Sequence, residues 1–145
     1  MSVINKSALV SYSASEMYAL VNDVSRYSEF LPWCSDSAAV DENSDEMRAR
    51  LDLALGGMRK TFTTHNRLQK NKMIEIRLID GPFKRLQGYW RFDPLDDQAC
   101  KVTLDLEYEF SSKMLALALG PLFHQVTNTL VDAFCKRAVE IYGKR

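Results

Sequence analysis

Two periods of hydrophobic residues divide the chain into helical and extended segments. Residues 3–10 form a short strand-like run. The following segment, 13–16, has the serine and glutamate spacing of a capping box, whose side chains bond the free amides at a helix start. Apolar residues then recur at the offsets of an amphipathic helix, at Met17, Leu20, Val21 and Val24. A second short helix over 25–31 is expected to stop at Pro32, because proline has no amide proton to donate.

From about residue 36 to residue 110 the apolar positions alternate with polar ones, which is the period of half-buried strands. Turn-forming residues at 56–57, 71–72, 81–82 and 94–98 separate the runs and predict six strands. In the last run the apolar positions are Val102, Leu104, Leu106, Tyr108 and Phe110. Because each strand is apolar on one side only, the sheet is predicted to be antiparallel with one wet face.

The helical period returns after Ser111-Ser112 and lasts to the end of the chain. Its predicted buried face consists of Leu122, Phe123, Val126, Leu130, Phe134, Ala138 and Ile141. Gly120-Pro121 is expected to kink or restart this helix. The order of strand, two short helices, six strands and long helix predicts an α+β fold, and 145 residues suit one domain over 1–145.

Composition and charge exclude several classes of protein. The 19 basic and 19 acidic residues cancel, which argues against a globally basic nucleic-acid binder and against DNA as a partner. The longest apolar run, 114–123, is about half of the ~20 residues that span a bilayer, and no signal peptide precedes the first strand. Three scattered cysteines favour a reducing compartment over a disulfide framework or a zinc site. These features predict a cytoplasmic protein.

The width of the predicted sheet raises the question of an internal cavity. Seven strands at about 4.8 Å spacing span about 30 Å, whereas one helix is about 10–12 Å across. The sheet must therefore curl around the helix, and the space between them is either filled by large side chains or left open for an apolar ligand. Aromatic residues that could fill it share the inward parity: Phe62, Trp90, Phe92, Tyr108 and Phe110. The periodicity leaves both alternatives open.

No catalytic constellation is evident. His65 and His124 fall on outward positions, and the acidic residues of the last strand also alternate outward. Inward polar residues are few, namely Thr64, Asn66 and Asp80, and they suit either hydrogen-bonded core positions or ligand contacts. The chain has no glycine-rich phosphate loop, serine elbow or metal-ligand spacing, so no catalytic residue, metal or cofactor is predicted.

Basic residues concentrate in one part of the chain. Residues 58–92 carry nine basic and two acidic side chains, a net charge of +7, between segments of net negative charge. Four arginines share the outward parity there: Arg59, Arg67, Arg77 and Arg91. They predict a basic patch on the convex face that binds RNA phosphates or anionic lipid. The alternative is an ordinary solvated face whose positive charge is balanced by acidic neighbours.

Two motifs carry a resemblance to a known family. They are YSEFLPWC at 27–34 and LIDGPFKRLQGYWRF at 78–92, supported by KTFTT at 60–64. The chain resembles the coenzyme Q-binding and bacterial ribosome association toxin family of the START-like (polyketide cyclase and lipid-transport) superfamily. Ser28 stands where the family usually has proline.

The resemblance implies a helix-grip fold, in which a curved seven-stranded antiparallel sheet surrounds the C-terminal helix and leaves a hydrophobic tunnel. It implies a polyprenyl quinone, ubiquinone-like, or another apolar lipid as ligand, and a non-catalytic role in respiration with peripheral contact at the inner membrane. The toxin relatives imply the alternative of binding the large ribosomal subunit and blocking its association with the small one. An aromatase or cyclase is the third reading, disfavoured by the lack of an inward histidine or acid pair.

Ligand contacts are expected from two groups of residues. The lipid tail is expected to lie along Phe62, Leu78, Trp90, Phe110, Phe123 and Val126, with Thr64 as an inward polar contact. The mouth of the tunnel is expected to be bordered by Phe30, Leu31, Trp33 and Phe83, the last from the loop 80–83. The run 114–123 suits either a plain core helix or a lid that touches the membrane.

Overall fold

A curved seven-stranded antiparallel sheet holds one long helix against its concave face in the computed structural model, which describes residues 1–145. The strands are β1 (Ser2–Val10), β2 (Cys34–Val40), β3 (Glu46–Leu55), β4 (Met58–Gln69), β5 (Met73–Asp80), β6 (Phe83–Asp96) and β7 (Ala99–Phe110). Their order is β1-β7-β6-β5-β4-β3-β2, so the chain crosses from one edge of the sheet to the other after β1 and returns by hairpins. The predicted α+β helix-grip architecture is confirmed.

Two short helices make the crossing from β1 to β2. They are α1 (Ala14–Asn22) and a 3₁₀ helix (Val24–Glu29). The predicted capping box is present, because Glu16 N donates to Ser13 Oγ at 3.1 Å and Ser13 N donates to Glu16 Oε1 at 2.9 Å. The turns predicted at 56–57, 71–72 and 81–82 are confirmed, whereas β6 continues through Pro94 to Asp96 and leaves only 97–98 for the last turn. The two-residue loop Gly56-Gly57 has φ angles of 57° and 78° that favour glycine.

The long helix α2 (Lys113–Tyr142) corrects two expectations. It runs through Gly120 and Pro121 without restarting. Leu122 and Ile141, predicted to be buried, are 37% and 46% exposed. The buried positions are instead Leu119, Phe123, Val126, Thr127, Val131, Phe134, Arg137 and Ala138. The prediction missed Thr127 and Arg137 because it counted only apolar residues. It also missed the apolar Leu119 and Val131.

The two ends of α2 are held unequally. At its C-terminal end, Arg145 bonds both carboxylate oxygens of Glu16 at 2.7 and 2.8 Å, and the Tyr142 hydroxyl donates to Glu16 O at 2.9 Å. At its N-terminal end, Met114 and Leu117 are 79% and 82% exposed. The run 114–123 is therefore not a plain core helix, since only Leu119 and Phe123 within it are buried.

By length and composition α2 also meets the criterion for a membrane-crossing helix, with a mean hydropathy of 1.2 over 18 residues, of which 28% are buried in the fold. The sequence analysis predicted no membrane-crossing helix, because it considered only the ten-residue apolar run. The longer window meets the criterion because the polar residues that follow this run are uncharged. Core helices meet the same criterion, and the C-terminal half of α2 lies in the core of this fold.

The core centres on Phe134, which is fully buried at the middle of the concave face. Its ring makes edge contacts with Tyr27, Phe30 and Trp90 at centroid distances of 5.4, 5.2 and 5.2 Å. Such aromatic pairs add about 0.5–1.5 kcal/mol each beyond the area they bury. This cluster fixes α2 against both the sheet and the 3₁₀ helix, and it forms one wall of the cavity described next.

Candidate functional site

An apolar cavity of about 80 Å³ lies between the concave face of the sheet and α2. Eighteen residues line it, and 15 of them are hydrophobic. The strands supply most of the wall, the 3₁₀ helix supplies Val24 and Tyr27, and α2 supplies the opposite side from Phe123 to Phe134. The curl of the sheet thus leaves space that the inward aromatic rings do not fill. The volume is several times smaller than the roughly 300–1,000 Å³ typical of pockets for drug-sized ligands.

Three polar residues interrupt the apolar wall. Thr64 and Asn66 lie on β4, are 4% and 5% exposed, and are joined by a hydrogen bond from Thr64 Oγ1 to Asn66 Oδ1 at 2.7 Å. Thr127 lies on α2, and its hydroxyl donates to His124 O at 3.0 Å within the helix. The cavity is therefore apolar with one polar spot on the sheet, which suits an apolar ligand that carries a small polar group.

The cavity has little capacity for proton transfer. Tyr27 is the only titratable residue among its lining residues. Burial raises the pKa of Tyr27 far above its ordinary value, and its hydroxyl donates to Val21 O. His65 and His124 lie outside this lining, and Asp80, expected to point inward, is exposed at the end of β5.

Six of the predicted ligand contacts line the cavity: Trp33, Phe62, Thr64, Trp90, Phe123 and Val126. They come from four different segments of the chain, and the fold brings them together around one space. Both tryptophans of the protein are among them. Their role in binding a ligand remains a prediction.

Five predicted contacts do not line the cavity: Phe30, Leu31, Leu78, Phe83 and Phe110. Phe83 and Phe110 stack on each other at 5.0 Å and are packed core. Leu31 is 1% exposed, and the Phe30 ring lies against Phe134. Inward parity identified the buried face correctly, but it does not separate residues that fill the core from residues that border a space.

The two segments of the predicted mouth pack against different residues of α2. Phe30 packs on Phe134, whereas Phe83 packs on Phe123 at 5.1 Å. Phe123 and Phe134 are separated along α2 by about 16 Å at 1.5 Å per residue. The two rings therefore contact different levels of the helix, whereas Trp33 O accepts from Ala54 N near the β3–β4 turn. The mouth stays a prediction.

The remaining lining residues were missed as ligand contacts. Asn66 was recognised as inward but not as part of the site, and Phe134 was assigned to the buried face of α2 only. The alternation of apolar and polar residues placed several other lining residues on the inward face but did not identify them as cavity residues. They include Ala49, Ile76, Leu104 and Leu106. No sequence signal distinguishes them, because the space depends on the curvature of the sheet.

The four arginines of the predicted basic patch do not form one patch. Arg59 and Arg67 lie eight residues apart on β4, about 27 Å at 3.4 Å per residue. Arg91 pairs with Asp93 at 3.4 Å. Only Arg67 and Arg77 meet, together with His65, in an open depression of about 760 Å³ on the convex face.

Acidic residues interleave with these bases on the convex face. Across the strands Arg67 lies opposite Glu75, and Glu75 lies opposite Tyr89. His65 bonds Glu46 at 2.9 Å, and Asp105 and Glu107 also line the depression. Three of these acidic residues, Glu46, Asp105 and Glu107, come from outside residues 58–92, so the segment charge of +7 did not include them.

Comparison with known proteins places the chain among START-like folds. Residues 10–135 match the family model described as polyketide cyclase / dehydrase and lipid transport. The chain is 51% identical over 144 residues to the ribosome association toxin RatA of Vibrio cholerae, covering 99% of this chain and 100% of that protein. It is 28% identical to the mitochondrial coenzyme Q-binding protein COQ10 homolog B of Xenopus laevis, covering 97% of this chain and 59% of that protein.

A solved structure supports the fold independently. The Zhui aromatase/cyclase from Streptomyces superposes with a TM-score of 0.78 at 17% identity, covering 99% of both chains. At that identity the likeness concerns the fold, and the sheet wrapped around a C-terminal helix is what the two proteins share. The predicted family resemblance is confirmed by these comparisons.

Proposed function

The chain belongs to the polyketide cyclase / dehydrase and lipid transport family, and on that premise we propose that it binds and carries an apolar lipid of the prenyl quinone class without transforming it. The observation that carries this proposal is the apolar cavity with its polar spot on β4. The distant COQ10-named relative supports the quinone headgroup in particular. The scarcity of titratable groups in the lining supports carriage over catalysis.

The size of the cavity determines how such a lipid would bind. At about 80 Å³ the cavity holds only a ring or a short chain, so most of a prenyl tail must lie outside it. The N-terminal part of α2 offers the way out, because it is exposed and carries apolar side chains. Each methylene that is removed from water contributes about 0.8 kcal/mol, so a few buried isoprenoid units give useful affinity.

The two tryptophans provide a direct binding assay. Trp33 and Trp90 both line the cavity, so a quinone bound there should quench most of the protein's tryptophan fluorescence. Titration of lipid-free protein with a short-tailed benzoquinone should give saturable quenching, and native mass spectrometry of gently purified protein should show one bound prenyl lipid. Absence of both signals would refute the proposal.

Membrane contact would follow from the same end of the molecule. Met114, Leu117 and Leu122 are exposed on α2, and a Cβ built on Gly56 would lie 2.8 Å from Leu122 Cδ1, so the β3–β4 turn is adjacent. Ser111 N donates to Pro82 O at 3.0 Å, which places the β5–β6 turn beside the helix start. Basic residues lie on these three segments: Arg59, Lys60, Lys84, Arg85 and Lys113. An apolar surface with basic residues beside it suits an anionic bilayer.

Vesicle flotation tests this contact. The double variant M114D/L117D should lose binding to vesicles that contain anionic lipid. The variant L95D serves as control, because Leu95 is also exposed, at 58%, but lies in the β6–β7 turn region at the opposite end of β6. Equal flotation of M114D/L117D and L95D would exclude α2 as the membrane contact.

A second candidate function is ribosome association, which the 51% identical RatA-named relative favours. The surface for it would be the depression around Arg67 and Arg77, since polyanion binding requires accessible cations. Co-sedimentation with large ribosomal subunits should weaken steeply with salt, and R67E/R77E should reduce it at least tenfold. R59E serves as control because Arg59 lies far along β4. Equal loss in both variants would indicate a nonspecific charge effect and refute this surface.

A further inference from the structure

Two hydrogen-bond donors in the apolar cavity have no acceptor in the protein. Asn66 uses its Oδ1 to accept from Thr64, but its Nδ2 donates to no protein group. Trp90 lines the same cavity at 3% exposure, and its indole N–H also donates to no protein group. Surrounding side chains do not seal off either nitrogen, because the only fully enclosed side-chain polar atom without a partner is Asn22 Oδ1.

Buried donors of this kind are uncommon, because leaving them unpaired costs free energy. Thr127 provides the contrast within the same cavity, since its hydroxyl is satisfied by His124 O. The Oδ1 of Asn66 has a role in the protein, because it accepts from the buried Thr64 hydroxyl. Its Nδ2 has no such role, so this half of the amide is better explained by what enters the cavity than by the packing of the sheet.

We propose that Asn66 Nδ2, with the Trp90 indole N–H as a second donor, recognises a carbonyl oxygen on the ring of the bound lipid. The two residues lie on strands two apart, β4 and β6, and Trp90 is two residues along β6 from Gly88, the position in register with Asn66. Their backbones are therefore about 12 Å apart, and the two donors reach the cavity from different strands. This inference rests on the proposed lipid carriage and adds the basis of selectivity. The cavity would prefer a ring with carbonyl acceptors over an equally apolar hydrocarbon.

The position of Asn66 also sets the orientation of the ligand. Asn66 lies four residues beyond Phe62 on β4, about 14 Å further from the β3–β4 turn. Phe62 lines the end of the cavity nearer that turn, where α2 is exposed. A ring held at Asn66 therefore lies at the end of the cavity further from the β3–β4 turn, and its tail points toward the exposed part of α2.

The test compares two probes with the same alkyl tail, an alkyl-benzoquinone and an alkylbenzene, by titration calorimetry and tryptophan quenching. Wild type should bind the benzoquinone more tightly. The nearly isosteric N66L should lose roughly 10- to 100-fold in benzoquinone affinity, because the carbonyl is left unpaired, while its alkylbenzene affinity changes less than threefold. N66D keeps two oxygens but lacks the amide donor and should also lose benzoquinone binding.

The control is T127V, which removes a hydroxyl from the same cavity that is already satisfied within α2 and should bind both probes as wild type does. Thermal unfolding of each variant shows whether it folds. Equal benzoquinone affinity in wild type and N66L would overturn the role of Asn66, and so would equal affinity of wild type for the two probes, while lipid carriage would stand. Binding of neither probe by wild type would overturn lipid carriage and this inference together.

Discussion

Filling the cavity should stabilise the protein and abolish ligand binding at the same time. Ala49 is the site of choice, because it lines the cavity at 3% exposure and lies directly across from Thr64 on the neighbouring strand. Ala49→Leu adds three carbon atoms that point into the space. If the space is a binding site, evolution has left it open at a cost in stability, and the substitution should recover part of that cost.

The magnitude follows from two independent estimates. A cavity of 80 Å³ costs about 2 kcal/mol at roughly 24 cal/mol per Å³. Three buried carbons contribute about 2.4 kcal/mol at roughly 0.8 kcal/mol each. Imperfect rotamers and the proximity of Asn66 reduce the gain, so we expect the free energy of unfolding to rise by about 0.5–2 kcal/mol.

Urea denaturation and benzoquinone titration measure the two effects in the same preparation. Ala54→Leu is the matched control, because Ala54 lies on the same strand and is half-buried on its outward face. That variant should change stability by less than about 0.5 kcal/mol and bind as wild type does. A destabilisation of Ala49→Leu by 1–3 kcal/mol, the usual result of overpacking, would show that the space is not available and refute the reasoning.

Further predictions concern the packing around α2 and the sheet. Arg137 is 9% exposed and bonds the half-exposed Glu29 at 2.7 Å. E29A leaves this buried charge only the 4.0 Å contact with Glu140 and the Phe30 ring, so it should cost about 1–3 kcal/mol in urea denaturation and more than R137M. Gly88→Ala should cost at least about 3 kcal/mol and lower soluble yield, because the new Cβ would lie 2.8 Å from Leu106 Cα. The Arg145 guanidinium and the Ser13 amide lower the pKa of Glu16 from 4.5 to about 2, so its stabilising effect is complete above pH 4.5 and is lost as the pH falls toward 2. The difference in thermal midpoint between wild type and E16Q should therefore shrink over that interval, and a constant difference would contradict the assignment.

The periodicity of hydrophobic residues along the chain was sufficient to predict the type and order of the secondary-structure elements. Alternation predicted the inward positions of β7 from Val102 to Phe110 but not Cys100, and the serine and glutamate spacing predicted the start of α1. Both features are local. The helical periodicity failed at Leu122, Thr127 and Arg137, because contacts from other elements decide which residues of α2 are buried.

The candidate site was predicted only in part. The inward rings were identified, but Phe83 and Phe110 fill the core while Phe62 and Trp90 border a space, and this difference depends on sheet curvature and on the path of α2. The convex arginines show the same limit for charge. Glu46 lies opposite Arg67 on the neighbouring strand, and Asp105 lines the same depression, yet neither belongs to the segment 58–92 whose charge was counted.

The unequal anchoring of α2 has a consequence for dynamics. Amide hydrogens near residues 113–122 should exchange with deuterium well before those near 131–142, although both belong to one continuous helix. Entry of a ligand would then require only the first few turns of α2 to unfold locally. Phe134 and the ion pair of Arg145 with Glu16 would keep the rest of the fold closed. The cell could thus load and unload such a protein without ever exposing its full interior to proteases or to aggregation.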